Sequence, residues 1–423
     1  MKSMFEHGAR KNGSASDRAG CPRHDVPVRR RQPSATDPDA FDASGEPADV
    51  CLLLEGTYPY VTGGVSSWVH QLITSLPQFS FSLFYIGASR ELDMQPRYTL
   101  PSNVVSLRRF YLFDEALPDS GRRLRGDVRR ELYGRIEAMH HGIKQGRLGG
   151  ELRAVFEALS GRAAEGSSPP GESGSASGRR QAGPRARARR GCPVINARNL
   201  LHDREAWELL TRLYDSYSEE SSFIDYFWSI RFMHVPIWKL IAAAPNVQNA
   251  RCYHAVSTGY AGLLASVVHA QRGQPLILTE HGIYTKERRI ELAQAEWIHA
   301  TRHQGYVPFK RPGYLKELWM KSFEFMSRLT YAAAAQIVTL HEGNRMLQIE
   351  HGAPAEKITV IPNGVDLERL SDVMENRKRA SRPTVGFVGR VVPIKDVKTL
   401  VRATKIVSCR IPDVEVLVVG PTG

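Results

Sequence analysis

ADVCLLLEGTYPYVTGGVSSWVHQLITSL, residues 48–76, decides the fold. Its first part is a short apolar run of strand type that ends at Gly56. A loop containing Gly63 and Gly64 comes next. Val65, Trp68, Val69, Leu72 and Ile73 then recur at helical spacing, which predicts a helix with one apolar face. Strand-like runs succeed it, at FSFSLFYIG (79–87) and NVVSLRRF (103–110). A strand, a glycine loop, a helix and two further strands open an α/β sheet protein.

Farther along, residues 127–160 and about 204–243 read as helical, the latter rich in aromatic side chains. RCYHAVS and PLILTEHG read as two buried parallel strands joined through the helical GYAGLLASVVHAQ. Two more helices, the strand AAQIVTL, a short helix that stops at Gly352 and the strand of ITVIPNGVD complete a first domain over residues 49–365. A charged linker then leads to TVGFVGR, DVKTLVRATKIVSC and VEVLVVGPTG, a strand, a helix and a strand. Residues 366–423 are thus expected to be the first β-α-β part of a second, incomplete doubly wound domain. Residues 1–48 lack periodicity and read as a disordered tail, and the low-complexity stretch 160–192 reads as a surface insertion.

The chain has 423 residues, too many for one compact core, and its formal net charge is +13. That charge does not point to nucleic acid. The 160–192 insertion alone contributes an excess of +5, from seven Arg against two Glu, and the ordered remainder is only mildly basic. Five scattered cysteines without a CxxC pair fit a reducing compartment and argue against a zinc site or a disulfide scaffold. There is neither an N-terminal apolar signal segment nor a membrane-length apolar run, so a cytoplasmic protein is expected.

Three stretches carry chemistry. Gly63 and Gly64 stand at the carboxyl end of the first strand, where open α/β sheets bind ligands, and the next helix offers free N–H groups to an anion. A plain turn is the alternative there. His281 ends the strand LILTEH and precedes Gly282, which places its imidazole at the rim of the sheet. It can contact a phosphate or a sugar hydroxyl, or bond to a neighbouring loop. The alternation of that strand turns Glu280 away from it. In VGFVGRVVPIKDVKTL, residues 385–400, Arg390 leaves a strand and Lys395 stands just before a helix. A diphosphate at that corner would meet backbone N–H groups, a guanidinium fork and an ammonium. A solvated surface pair is the alternative. Asn363 and Gly364 predict a tight turn at the hinge between domains, with Asp366 capping the next segment.

Together these stretches resemble the retaining glycosyltransferases of family 4. The resemblance implies a GT-B fold, in which two Rossmann-like domains face each other across a cleft. Gly63-Gly64, His281, the hinge from Pro362 to Asp366, and the pair Arg390 and Lys395 match that family's acceptor loop, N-domain histidine, interdomain hinge and diphosphate grip. EGTYPYVTGGVSSW, FWSIRFMHVPIW and LTEHGIYTKERRIEL are more specifically similar to its PelF branch, which makes the exopolysaccharide Pel. The resemblance covers residues 49–423 apart from the insertion.

The resemblance implies a UDP-sugar donor, UDP-glucose by analogy, a polysaccharide acceptor, retention of configuration and no metal requirement. His281, Arg390 and Lys395 would be catalytic, and Gly63, Gly64, Arg390 and Lys395 would bind the donor diphosphate. The family's late Glu-seven-residues-Glu segment does not occur before Gly423, so a chain truncated within its donor domain, and inactive alone, is expected. Two alternatives differ in kind. One is another GT-B enzyme such as a UDP-sugar epimerase. The other is a non-catalytic subunit of a membrane-bound polysaccharide synthesis complex, docked through the aromatic helices of 204–243.

Overall fold

The structure is a computed structural model. It describes residues 41–42, 46–92, 95–114, 126–145, 199–217, 222–295, 298 and 313–365, and residues 367–420 with short interruptions. The insertion 160–192, most of the tail 1–48, Asp366 and Arg390 lie outside the described residues. The chain divides into two compact units between Asn363 and Gly364.

The first unit is built on one sheet. Its strands are β1 (Phe41–Asp42), β2 (Ala48–Glu55), β3 (Phe81–Gly87), β4 (Val104–Tyr111), β5 (Ala250–Ala255), β6 (Leu276–Glu280), β7 (Gln336–Thr339) and β8 (Ile358–Val360). The spatial order is β1-β4-β3-β2-β5-β6-β7-β8. All neighbours from β4 to β8 are parallel. Only β1 runs antiparallel, pairing Phe41 with Leu107 and Asp42 with Ser106. Those two residues fall in the stretch read as a disordered tail. An edge strand needs only backbone partners, so composition gives no warning of it. Numbered within the parallel set, the order is that of the doubly wound Rossmann-like sheet, and it reverses between β2 and β5.

Helices cover both faces. They are α1 (Gly64–Ser75), α2 (Gly126–Gln145), α3 (Arg204–Tyr217), α4 (Phe223–Ala243), α5 (Tyr260–Arg272), α6 (Tyr284–Gln294), α7 (Tyr314–Ala333) and α8 (Glu342–Glu350). The alternation of β2 explains the two layers. Cys51 and Leu53 join a large core with α2, α4, α5 and α7, whereas Leu52 and Leu54 join a smaller one with Val69 and Ile73 of α1. Both sides of β2 are therefore dry, which is why it reads as a continuous apolar run. Helix α5 lies at the centre of the large layer, buried along Tyr260–Val268. It approaches α7 closely at Gly262, where a Cβ would stand 2.6 Å from Thr330 Oγ1. The helix predicted over 127–160 is present to Gln145, and its remainder lies outside the described residues.

In the second unit, β9 (Thr384–Val388) and β10 (Glu415–Val419) pair in parallel, joined through α9 (Val397–Ser408). Asp396 caps α9 in a left-handed conformation at φ 46°, its carboxylate accepting from Thr399 N at 3.3 Å. Among the described residues no helix is long and apolar enough to cross a membrane.

Candidate functional site

The strand order reverses between β2 and β5, and such a switch point, at the carboxyl edge of the sheet, is where open α/β sheets bind ligands. The side chains gathered along this edge come from β2, α1, β5, β6, α6 and α8.

His281 comes directly after β6. Its ring stands edge-on to the indole of Trp68 on α1, with centroids 4.7 Å apart and planes at 73°. Trp68 also meets His254 of β5 edge-on at 5.9 Å. His254 Nε2 lies 2.8 Å from Thr279 Oγ1, so that ring is anchored. His281 Nε2, by contrast, is buried and has no hydrogen-bond partner. Burial depresses both imidazoles to about 4, so both are neutral at physiological pH. A neutral imidazole with an unpartnered nitrogen beside an indole edge has a hydrogen bond left to exchange with a hydroxyl or a phosphate oxygen that reaches it.

Strand alternation sends the preceding residue, Glu280, to the opposite face. It turns away from His281, as the alternation predicts, and is buried in the interior. Its Oε1 accepts from Thr258 Oγ1 at 3.2 Å and from Tyr284 N at 3.0 Å. Its Oε2 accepts from Tyr331 Oη at 2.7 Å and Gln348 Nε2 at 2.8 Å. Burial raises its proton affinity, and these donors work against that.

A second carboxylate, Glu55, ends β2 at the switch point. Tyr284 Oη donates to its Oε1 at 3.0 Å. Ser257 Oγ and Ala261 N donate to its Oε2, each at 3.3 Å. The start of α5 is thus matched by a side-chain anion from another strand. The fit depends on Gly259, because a Cβ there would stand 2.3 Å from Tyr284 Cζ and 2.6 Å from Glu55 Oε2. Arg288 lies over the Tyr284 ring at 5.0 Å, and burial holds the phenol well above its ordinary range.

Gly63 and Gly64 stand at the start of α1, on the same edge. Gly63 is extended at φ 170° and ψ 177°, and the first helical bond runs from Ser67 N to Gly63 O. The amides of Gly64, Val65 and Ser66 therefore precede any bond within the helix. A Cβ on either glycine would meet nothing within 4 Å. Neither backbone geometry nor protein packing demands glycine here, and what the pair leaves is an unobstructed approach.

The hinge differs from the predicted turn. Residues 361–365 form neither a hydrogen-bonded turn nor a regular element, and Gly364 is not left-handed. The chain is guided instead by β8 and the bond from Ile361 N to Thr339 O at 2.8 Å. Asn363 and Gly364 flank the division between the two units. Lys395 lies exposed in the second unit, one residue before the cap of α9. Its expected partner Arg390 and the capping residue Asp366 lie outside the described residues. Among the described residues no group of three His, Cys, Asp or Glu side chains could hold a metal ion.

Sequence reading brought Gly63, Gly64 and His281 to one edge of one sheet. It missed Glu55, His254, Gly259 and Tyr284, and it assigned Trp68 only to a helix face. One signal was available for Glu55, a lone acid closing an apolar strand just before a glycine. No comparable signal marks Gly259, whose need for glycine arises from two side chains distant in sequence.

No curated protein matches the chain. A family model described as a domain of unknown function, DUF3492, matches residues 48–356, about three quarters of the sequence. That span takes in every strand of the parallel sheet except β8, together with every edge residue described above in the first unit. The chain belongs to the DUF3492 family.

Proposed function

We propose that the chain is part of a retaining, UDP-sugar-dependent glycosyltransferase that extends an exopolysaccharide, in the manner of the PelF-like branch of family 4. UDP-glucose is the donor by analogy. The reading is supported by the DUF3492 family's association with family 4-type glycosyltransferases and by the Rossmann-like sheet. The observation that carries it is the neutral imidazole of His281, with Nε2 unpartnered at the carboxyl edge and Trp68 beside it. Carbohydrate hydroxyls are recognised by such pairs of an uncharged hydrogen-bonding group and an aromatic ring.

In this reading His281 hydrogen-bonds the transferred sugar. Gly63 and Gly64 leave room on the acceptor side near the phosphates. Arg390 and Lys395 bind the donor diphosphate, whose negative charge grows as the sugar departs, so they stabilise the transition state more than the ground state. No metal is invoked, and no carboxylate nucleophile is assigned. The protein works at the cytoplasmic face of a membrane-bound synthesis complex.

The test is calorimetric titration of the full-length transferase with UDP. Each charge-assisted hydrogen bond contributes roughly 1.5–3 kcal/mol, so Arg390→Ala or Lys395→Ala weakens binding at least about tenfold. Absence of binding, or binding indifferent to both substitutions, removes the diphosphate assignment. The exposed aromatic side chains Trp207, Trp228 and Phe232 of α3 and α4 favour a second reading in that event, a non-catalytic subunit docked to a partner.

A further inference from the structure

Glu280 is the only group among the described residues that joins the end of β6 to α6, α7, α8 and the β5–α5 loop through a single side chain. Each of its two oxygens accepts two bonds, and each bond comes from a different element. One of them, from Tyr284 N at 3.0 Å, closes the turn 280–284 that contains His281. Tyr284 is held at its other end by Glu55, 3.0 Å from its hydroxyl. A third hold comes from Gln348's helix, where Asn344 Nδ2 donates to His281 O at 3.3 Å. The His281 backbone is therefore fixed on both sides by elements that converge on the Glu280 carboxylate, while its ring projects to the other face, against Trp68.

We propose that Glu280 is a positioning residue for His281: by tying α6 and α8 to the end of β6 it sets where the imidazole stands at the carboxyl edge. Glu280 does not touch the ring and does no chemistry. A buried carboxylate needs all of its acceptor capacity matched, and four donors at fixed positions leave it one arrangement. A shorter acid cannot reach all four. An isosteric amide can once the Gln348 amide turns over: its oxygen accepts from Tyr284 N and Thr258, and its NH2 donates to the Tyr331 hydroxyl and to Gln348 Oε1, which lacks a partner in the wild type. Position, rather than charge, is what the site asks of residue 280.

The importance of that position for a bound sugar rests on the function proposed above, but the position itself is tested without it. The imidazole signals of His281 are followed by NMR against pH in the wild type, Glu280→Asp and Glu280→Gln, with His254 as an internal reference. His281 titrates at about 4 when held in place. In Glu280→Asp the ring loosens into solvent and its titration moves toward the ordinary 6.5, at least tenfold in proton affinity, while His254 stays. In Glu280→Gln it stays within about threefold of wild type. If Glu280→Asp does not fold, Gln348→Ala replaces it and gives a smaller shift in the same direction. An Asp variant (or, in its place, Gln348→Ala) that loses stability yet leaves His281 at its wild-type titration overturns the proposal. So does a Gln variant that moves His281 as far as Asp does. Wild-type protein that fails to bind UDP-glucose, with these shifts intact, counts against the proposed function and supports the positioning role.

Discussion

The Trp68 indole meets the His281 imidazole edge-on, with centroids 4.7 Å apart. One residue comes from the helix after β2, the other from the end of β6, on the far side of β5 in the sheet. The contact spans the switch point between β2 and β5, where a doubly wound sheet opens for a ligand. It covers one side of the imidazole and leaves Nε2 without a partner.

Removing the indole uncovers the ring. Trp68→Ala lets water reach His281, and its titration rises from about 4 toward 6.5 in an NMR pH series. An aromatic pair contributes about 0.5–1.5 kcal/mol beyond its buried area. That pair is present with and without ligand, so its loss is read as a lower urea midpoint, and UDP-glucose binding, measured by calorimetry, weakens through the displaced imidazole.

Stability falls on the acid side. His140 and His234 are buried with their Nε2 atoms 3.0 Å apart, and Ile230 O lies 2.7 Å from His234 Nδ1. The carbonyl can only accept, so in the neutral pair His234 carries its proton on Nδ1 and His140 donates from Nε2. Burial holds both below the ordinary histidine range, as it does His254 and His281. A lowered folded-state value means that the unfolded chain binds more protons below about 6.5. Stability is full above that pH and is lost as pH falls toward the folded-state values. Urea denaturation at pH 7.5 and pH 5 should show the loss, about 1.4 kcal/mol per pH unit for each histidine still neutral in the folded state. His234→Gln should flatten the slope.

Two glycine substitutions separate packing from access. Gly259→Ala drives a methyl into Tyr284 and Glu55, at 2.3 and 2.6 Å. Overpacking of this kind costs about 1–3 kcal/mol, read as a lower urea midpoint with an unchanged m-value. Gly63→Ala meets nothing within 4 Å and keeps an extended backbone, so its midpoint stays near wild type. Its effect appears only in ligand affinity.

The sheet was legible because its strands are short apolar runs bounded by glycine, and because a strand buried on both faces has no polar residues to disguise it. His281 was legible for the same reason: the strand PLILTE points at it. The edge pair Phe41–Asp42 was not, since backbone pairing leaves no mark in composition. The network around Glu280 was not either. Thr258, Tyr331 and Gln348 lie far apart in the chain and look ordinary in sequence, and only the folding of α5, α7 and α8 onto one strand end brings their donors together. Asn363-Gly364 shows the converse error. A dipeptide favoured in turns lies where no turn forms, because β8 sets the direction of the chain there.

The central claim is that a sugar nucleotide binds at the carboxyl edge beside His281. It is tested most directly by following the histidine ring signals of the wild-type chain as UDP-glucose is added. The His281 signal should shift saturably, while those of His140 and His234, held in the interior between α2 and α4, stay in place. A His281 signal unmoved at saturating UDP-glucose would contradict the claim.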